Sequence, residues 1–231
     1  MKEWYYNEYK QVGIDFENEE EVRGYDEKFK KQRNINQELQ FLKEALGISE
    51  EHIILEIGTG TGEFAIGLSK ICKEVIAADV SKTMLSYVEK KIAALGINNI
   101  ALLHGGFLYE GYIPESFDSV ISSLALHHLP DFWKLVALKN VYKILKSGGK
   151  FMLTDCILSF DMNLYDEYIS RFIDEVRQSA GEKIAEEIIV NIRDEYPTYD
   201  WVVKDMLIKA GFNIVKYIKH TELISTCICE K

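Results

Sequence analysis

His52-Ile53-Ile54-Leu55-Glu56-Ile57-Gly58-Thr59-Gly60-Thr61-Gly62-Glu63-Phe64 is the stretch whose reading decides the fold. Ile53, Ile54, Leu55 and Ile57 form a near-continuous apolar run, the pattern of a strand covered on both faces. Three glycines at alternate positions follow. They let the backbone turn sharply and bring its N–H groups against a ligand with no Cβ in the way. From Glu63 to Cys72, apolar residues at Phe64, Ile66, Leu68 and Ile71 predict a packed helix. Its N-terminus faces the glycine turn and favours a negative group there.

The acidic residues sharpen this reading. A dinucleotide fingerprint is G-x-G-x-x-G, with the last glycine needed for close helix–strand packing. Here the third glycine comes one residue early, Glu63 stands where that fingerprint wants Gly or Ala, and Glu56 precedes the first glycine by two. The pattern E-x-G-x-G-x-G resembles the first motif of class I S-adenosylmethionine-dependent methyltransferases. A glycine turn with no ligand and a dinucleotide site are the alternatives.

Beyond the turn, Glu74-Val75-Ile76-Ala77-Ala78-Asp79 reads as a second strand ending in a carboxylate. An acid at that tip can accept charge-assisted hydrogen bonds from both ribose hydroxyls. Capping the next helix is the plainer role, but Ser81 is better placed for it, ahead of Met84, Leu85, Val88, Ile92 and Leu95. Ile100–His104 is a third strand, followed by Gly105-Gly106-Phe107-Leu108. The resembled family often carries G-D at this place, with the Asp receiving the adenine amino group. Gly106 is a departure, so adenine is expected on backbone groups there, flanked by Phe107 or Leu108.

Ser116–Ser123 reads as a fourth strand leading into Leu124-Ala125-Leu126-His127-His128-Leu129. F-D-x-V followed by L-H-H-L, and L-K-x-G-G before the strand Lys150–Asp155, also resemble the family. The diglycine Gly148-Gly149 is read as the cap of the preceding helix. In a doubly wound sheet ligands bind at the C-terminal ends of the strands, where the order reverses. The segment after strand four therefore lies between cofactor and substrate. A neutral His127 or His128 could take a proton from an acceptor near neutral pH; helix-entry packing is the alternative for each.

The resemblance implies a Rossmann-like, seven-stranded, mostly parallel sheet of order 3-2-1-4-5-7-6 with helices on both faces, in a single domain over residues 1–231. It implies S-adenosyl-L-methionine as cofactor and S-adenosyl-L-homocysteine as product. Gly58, Gly60 and Gly62 would hold the methionine end with support from Glu56. Asp79 would hold the ribose, Gly106 and Phe107 the base, and Ser123 and Leu124 the region beside the methyl. The activity implied is methyl transfer to a small molecule by in-line displacement. A non-catalytic binder of the same cofactor and a nicotinamide-dependent oxidoreductase are the rivals.

Residues 1–48 form an N-terminal helical arm, read either as packing or as a lid. Trp4, Tyr5, Tyr6 and Tyr9 crowd its start. Tyr9 and Tyr25 are the lid candidates, Tyr25 because a Y-D pair at this distance before the glycine motif lies over the cofactor in the resembled family. Phe29, Leu39, Phe41, Leu42 and Leu46 look buried, and Gly47 suits a helix C-cap. Residues 157–198 are read as an inserted helical cap, with Ile184, Ile188 and Ile192 at spacing four. The short Lys219–Glu222 connection predicts an antiparallel final pair of strands.

With 231 residues, 47% hydrophobic, the chain can build a full core. Its net charge of -10 argues against an extended phosphate-backbone interface, and there is no N/D-P-P-Y motif, so no nucleic-acid partner is expected. No apolar run reaches the roughly 18 residues that suggest a membrane span, and Met1-Lys2-Glu3-Trp4 does not open a signal peptide. A cytoplasmic monomer or homodimer with no membrane partner is expected. Cys72, Cys156, Cys227 and Cys229 make no C-x-x-C pair and are read as reduced core thiols, with no metal site.

Overall fold

The computed structural model describes residues 3–10, 12–29 and 34–231; the side chains of Glu21 and of residues 26–29 lie outside the described set, and with them the expected burial of Phe29. The strands are β1 (Ile53–Ile57), β2 (Glu74–Asp79), β3 (Ile100–His104), β4 (Phe117–Ser123), β5 (Leu145–Leu158), the two-residue β6 (Thr198–Tyr199), β7 (Asn213–Lys219) and β8 (Ile224–Glu230). The main sheet runs β3-β2-β1-β4-β5-β8-β7, and β6 pairs with β5 off this path. Apart from that short eighth strand, the order is the expected 3-2-1-4-5-7-6. Neighbours are parallel from β3 to β5, while β8 is antiparallel to both β5 and β7.

Helices cover both faces because every central strand is apolar on both. Leu55, Val120, Phe151 and Leu153 join one buried cluster, which includes Ala137, Leu138 and Val141 of α5 (Asp131–Ile144) and Val203 and Leu207 of α8 (Asp200–Ala210). Their strand neighbours Ile54, Ile121 and Met152 join the opposite cluster, which includes Leu42 and Leu46 of α2 (Ile35–Leu46) and Phe64 and Leu68 of α3 (Glu63–Leu68). This is the two-residue alternation of a strand buried from both sides. Cys227 and Cys229 lie in the first cluster as free thiols. α4 (Lys82–Leu95) packs on β2 and β3, and α1 (Glu19–Phe29) on α4.

The caps follow local chemistry. Asn34 accepts from the Gln37 amide to start α2, and Gly47, at φ 65°, ends it by donating to the Lys43 carbonyl. Ser81 accepts from the Met84 amide to start α4. Two expectations need correction. α3 stops at Leu68, short of Cys72, where the Ser69 hydroxyl bonds back to the Ile66 carbonyl and Asn99 Nδ2 takes the Ser69 carbonyl at 2.8 Å. Gly148-Gly149 does not cap α5, which ends at Ile144, with Leu145 already paired to Phe117. The pairing then jumps to Lys150 opposite Ser119, and the diglycine serves this bulge. A Cβ on Gly149 would lie 2.8 Å from the Lys146 carbonyl oxygen.

Between β5 and α8, two helices, α6 (Tyr165–Ala180) and α7 (Glu182–Asp194), pack on each other above the C-terminal end of the sheet. No helix among the described residues is long and apolar enough to cross a membrane.

Candidate functional site

The sheet order reverses between β1 and β4, and the glycine turn lies at that switch point. Gly58, Gly60 and Gly62 all have positive φ, at 78°, 53° and 79°. Their roles differ. A Cβ on Gly58 would meet Ala125 Cβ at 2.5 Å and one on Gly62 would meet Val88 Cγ1 at 2.8 Å, whereas one on Gly60 would meet nothing within 4 Å. Gly58 and Gly62 therefore permit close packing, and Gly60 is the turn residue that opens to a ligand. Glu56 is buried beneath the turn and accepts from Thr59 Oγ1 at 2.7 Å, so it shapes the loop from below.

Asp79 is buried at the tip of β2. Its Oδ2 accepts from the Gly60 amide at 2.8 Å and its Oδ1 from the Ser81 amide at 2.9 Å. Burial pushes its carboxyl above the usual range, against the pull of those amides. The remaining lone pairs face a cavity of about 120 Å³ lined by Gly58, Gly60, Asp79, Gly106, Phe107, Ser123, Leu124 and His128. Val12, Phe16 and Tyr25 of the arm line the same cavity.

A second cavity, of about 560 Å³ and mainly apolar, lies alongside and shares Phe16, Tyr25, Leu124 and His128 with the first. Phe172 and Val176 of α6 and Ile184, Ile188 and Ile192 of α7 line it, so the spacing-four isoleucines face this space. Leu124 stands at the junction in the left-handed region, at φ 55°, where its amide donates to the Thr154 carbonyl at 2.8 Å. A non-glycine residue there stores strain of about 1–3 kcal/mol, which the surrounding structure must hold.

Four ionisable side chains sit at the junction. His127 Nδ1 lies 2.6 Å from Asp155 Oδ1, and its Nε2 lies 3.1 Å from Glu195 Oε2. Burial disfavours a charged ring, but Cys156 and Asp155 outweigh it and hold the proton affinity of His127 well above the ordinary histidine range. With both nitrogens donating to carboxylates, His127 has no free lone pair. This corrects the expectation that it could serve as a base. His128 is the opposite case. Burial and the charge of His127 pull its pKa down to about 4 against Glu195, Asp155 and the Val12 carbonyl that it hydrogen-bonds. Its Nδ1 lies 3.8 Å from Glu195 Oε1. Glu195 is itself held ionised: burial raises its pKa, but hydrogen bonding to His127 and the His128 contact lower it further. Donor atoms of His127, His128 and Glu195 fall within 4.8 Å of one another, but here the His127 nitrogens serve as N–H donors.

The arm closes the site from above. The Ser81 hydroxyl donates to the Phe16 carbonyl at 2.7 Å, and the Glu17 carboxylate accepts from the Lys82 amide at 2.8 Å and the Thr83 hydroxyl at 2.9 Å. A carboxylate at the N-terminus of α4 is favourably placed against the helix dipole. Tyr25 lines both cavities. Tyr9 lines neither; its ring packs on His104 at 4.9 Å. The turn closed by the Lys10 amide and the Asn7 carbonyl sends Tyr9 outward and the adjacent Glu8 inward. Glu8 and Glu195 were not singled out from the sequence. Each lies far along the chain from the partners it meets, so no local motif carries it.

Comparison with known proteins agrees with this geometry. The model of the ubiE/COQ5 methyltransferase family matches residues 29–229. A demethylmenaquinone methyltransferase of Oceanobacillus iheyensis is 28% identical over 184 residues, covering 72% of this chain and 72% of that protein. The ubiquinone/menaquinone biosynthesis C-methyltransferase UbiE of Pasteurella multocida is 29% identical over 192 residues, covering 77% of this chain and 68% of that protein. The crystal structure of a SAM-dependent methyltransferase from Aquifex aeolicus superposes with a TM-score of 0.63 at 19% identity, covering 92% of this chain and 98% of that one.

Proposed function

The chain belongs to the ubiE/COQ5 methyltransferase family and is an S-adenosylmethionine-dependent methyltransferase acting on a small molecule, and from that premise we propose that its acceptor is an apolar, hydroquinone-like phenol methylated on ring carbon. The observation that carries this reading is the second cavity, an apolar chamber that shares Leu124 and His128 with the first cavity and has Glu195 in its wall. The names of the related enzymes support a quinone-type ring.

The residues of the first cavity fit the cofactor. Open Gly60 gives a backbone surface for the methionine end, above Glu56 and beside Gly58 and Gly62. Asp79 keeps acceptor capacity for a ribose diol. Gly106 and Phe107 would flank the base, and Ser123 and Leu124 would line the end nearest the acceptor. The cofactor supplies a methyl group already activated on a sulfonium, so the chain's task is orientation and proton removal. Orientation of that kind lowers a barrier by about 7–11 kcal/mol.

His128, neutral at pH 7 but of low proton affinity, takes the phenolic proton only as the ring carbon attacks the methyl; the methylated carbon then gives up its own hydrogen as a proton and the phenolic oxygen is reprotonated from His128. Glu195 stabilises the resulting imidazolium, and His127, fixed as a cation by Asp155, holds Glu195 in place. The arm over residues 3–29 acts as a lid and α6–α7 as a substrate cap, together excluding water. The four unpaired cysteines support a reducing, cytoplasmic setting. The acidic net charge supports the absence of a nucleic-acid partner.

The test is transfer of isotopically labelled methyl to a panel of reduced naphthoquinols, benzoquinols and simple catechols, with the product bond located by NMR. His128→Ala should lower kcat by about 10²–10⁴-fold, with little change in cofactor affinity. Labelling only of hydrophilic amines or carboxylates, or full activity of His128→Ala, would sink this reading.

A further inference from the structure

The cofactor cavity has a direction. Strand order sets it: the lining residues after β4 (Leu124, His128) lie to one side, those after β1 and at the tip of β2 (Gly60, Asp79) between, and those after β3 (Gly106, Phe107) to the other. A nucleoside whose ribose rests on Asp79 therefore puts its base on the Gly106 side. An adenine there carries an exocyclic amino group, a donor that needs an acceptor once water is excluded. The segment after β3 offers none from a side chain, because Gly106 has none.

The N-terminal arm fills that gap. Glu8 reaches across about a hundred residues of sequence, and its Oε1 accepts from the Gly106 amide at 3.2 Å while its Oε2 accepts from the Leu108 amide at 2.8 Å. Glu8 also lines the cavity, where it and Asp79 are the two carboxylates. A carboxylate has about four lone-pair directions, so amide bonds of this kind leave some for a ligand. The fit to Gly106 is specific. A Cβ at that position would lie 2.6 Å from Glu8 Oε2, 2.9 Å from its Cδ and 2.9 Å from Val80 Cγ1. A side chain at 106 would therefore push the Glu8 carboxylate off its seat and press on Val80; the chain draws the carboxylate here from the arm. Burial pushes the Glu8 carboxyl up to about 7, against the pull of the backbone amides it accepts from.

We propose that Glu8 is the residue that reads the cofactor's base: its carboxylate, seated on the Gly106 and Leu108 amides, accepts the adenine amino group and so makes closure of the arm part of cofactor binding. The proposal rests on the assignment of this cavity to S-adenosylmethionine. With Glu8 ionised, above about pH 7, a base with a carbonyl in place of the amino group presents an acceptor to an acceptor and is disfavoured.

The experiment is calorimetric titration with S-adenosylhomocysteine and its 6-oxo analogue, S-inosylhomocysteine. Wild type should prefer the adenine compound by on the order of 10–100-fold, the scale of one hydrogen bond to a charged group. Glu8→Ala should lose that preference by weakening the adenine compound alone. Gly106→Asp should impair binding in the wild-type background, where it collides with Glu8, and restore the preference in the Glu8→Ala background, which a mere folding defect would not do. Unchanged or tighter binding of S-adenosylhomocysteine by Glu8→Ala, with the preference intact, would overturn the proposal and leave the cavity assignment standing. Failure of folded wild type to bind either compound would overturn both.

Discussion

Gly13 and Glu195 approach so closely that a methyl group on Gly13 would overlap the Glu195 carboxylate. The arm is thus shaped to the carboxylate that faces His128. Gly13 also has φ 78°, so any side chain is strained there as well as crowded. We expect Gly13→Ala to lift the arm from Glu195 and to lower kcat by on the order of 10–100-fold, as small misplacements do at a reacting centre. Steady-state kinetics check this, with cofactor affinity measured in parallel. A kcat within twofold of wild type would show that the arm does not position the pair.

Gly62 and Val88 make a second such contact, between the glycine turn and α4, with 2.8 Å left for a Cβ at φ 79°. Gly62→Ala should cost about 2–4 kcal/mol, from left-handed strain and overpacking together. Val88→Ala in the same chain should recover part of the overpacking and none of the strain. Urea denaturation of the two single variants and the double variant measures the coupling. Strict additivity would mean that the two residues do not share the space.

Asp79 holds the Gly60 amide and lines the first cavity, where we propose that it takes the ribose. Asp79→Asn keeps the shape and removes the charge. We expect cofactor and product binding to weaken about 10–100-fold, the worth of charge-assisted hydrogen bonds, with a smaller fall in Tm because the Gly60 or Ser81 amide loses its acceptor. Titration and thermal melts separate the two effects. A large fall in Tm with intact affinity would make Asp79 a loop brace rather than a ligand.

The His127–Asp155 pair sets a pH dependence of stability. The folded pKa of His127 lies well above the ordinary 6.5, so its contribution is complete below 6.5 and is lost as pH rises through the folded value. Burial raises the Asp155 carboxyl, but His127 lowers it further, below 3.8, so its contribution is present above 3.8 and is lost as pH falls through the folded value. Tm should therefore fall as pH is raised from 6.5, and Asp155→Asn should flatten that limb while lowering Tm throughout. A wild-type Tm that rises over this range would contradict a charged His127.

The second reading of the junction concerns Leu124, which no sequence pattern marks as left-handed. Leu124→Gly relieves the backbone and opens the wall between the two cavities. The chain should remain at least as stable to urea, while transfer loses efficiency because the acceptor is no longer held against the methyl. Single-turnover rates at saturating cofactor measure that loss. An unchanged rate would remove Leu124 from the positioning role.

Most of the fold was legible because it is written in local periodicity. Residues such as Ile54 and Leu55, or Phe151 and Met152, are apolar on both sides of a strand whatever the rest of the chain does, and this demands helices on both faces. Ser81, Gly47 and the alternate glycines of the turn act through hydrogen bonds and φ values set within a few residues, so they too could be read in advance. Gly148-Gly149 was misread because a diglycine suits a helix cap and a bulge equally, and only the pairing of Leu145 with Phe117 decides between them.

The site divides along the same line. The sequence by itself determined that a glycine turn, an acid at the tip of β2 and a histidine pair after β4 would meet at the switch point, because strand order and right-handed crossovers bring consecutive loops to one edge. Tertiary structure alone decided which histidine holds its proton more tightly, since His127 and His128 are neighbours in sequence and share Glu195, and it is Asp155 and Cys156 on His127 and Val12 on His128, all from other segments, that set them apart. It also decided that Glu8, rather than Tyr9, faces the cofactor cavity. A proton affinity and an inward or outward turn depend on charges and walls that no local stretch of sequence carries.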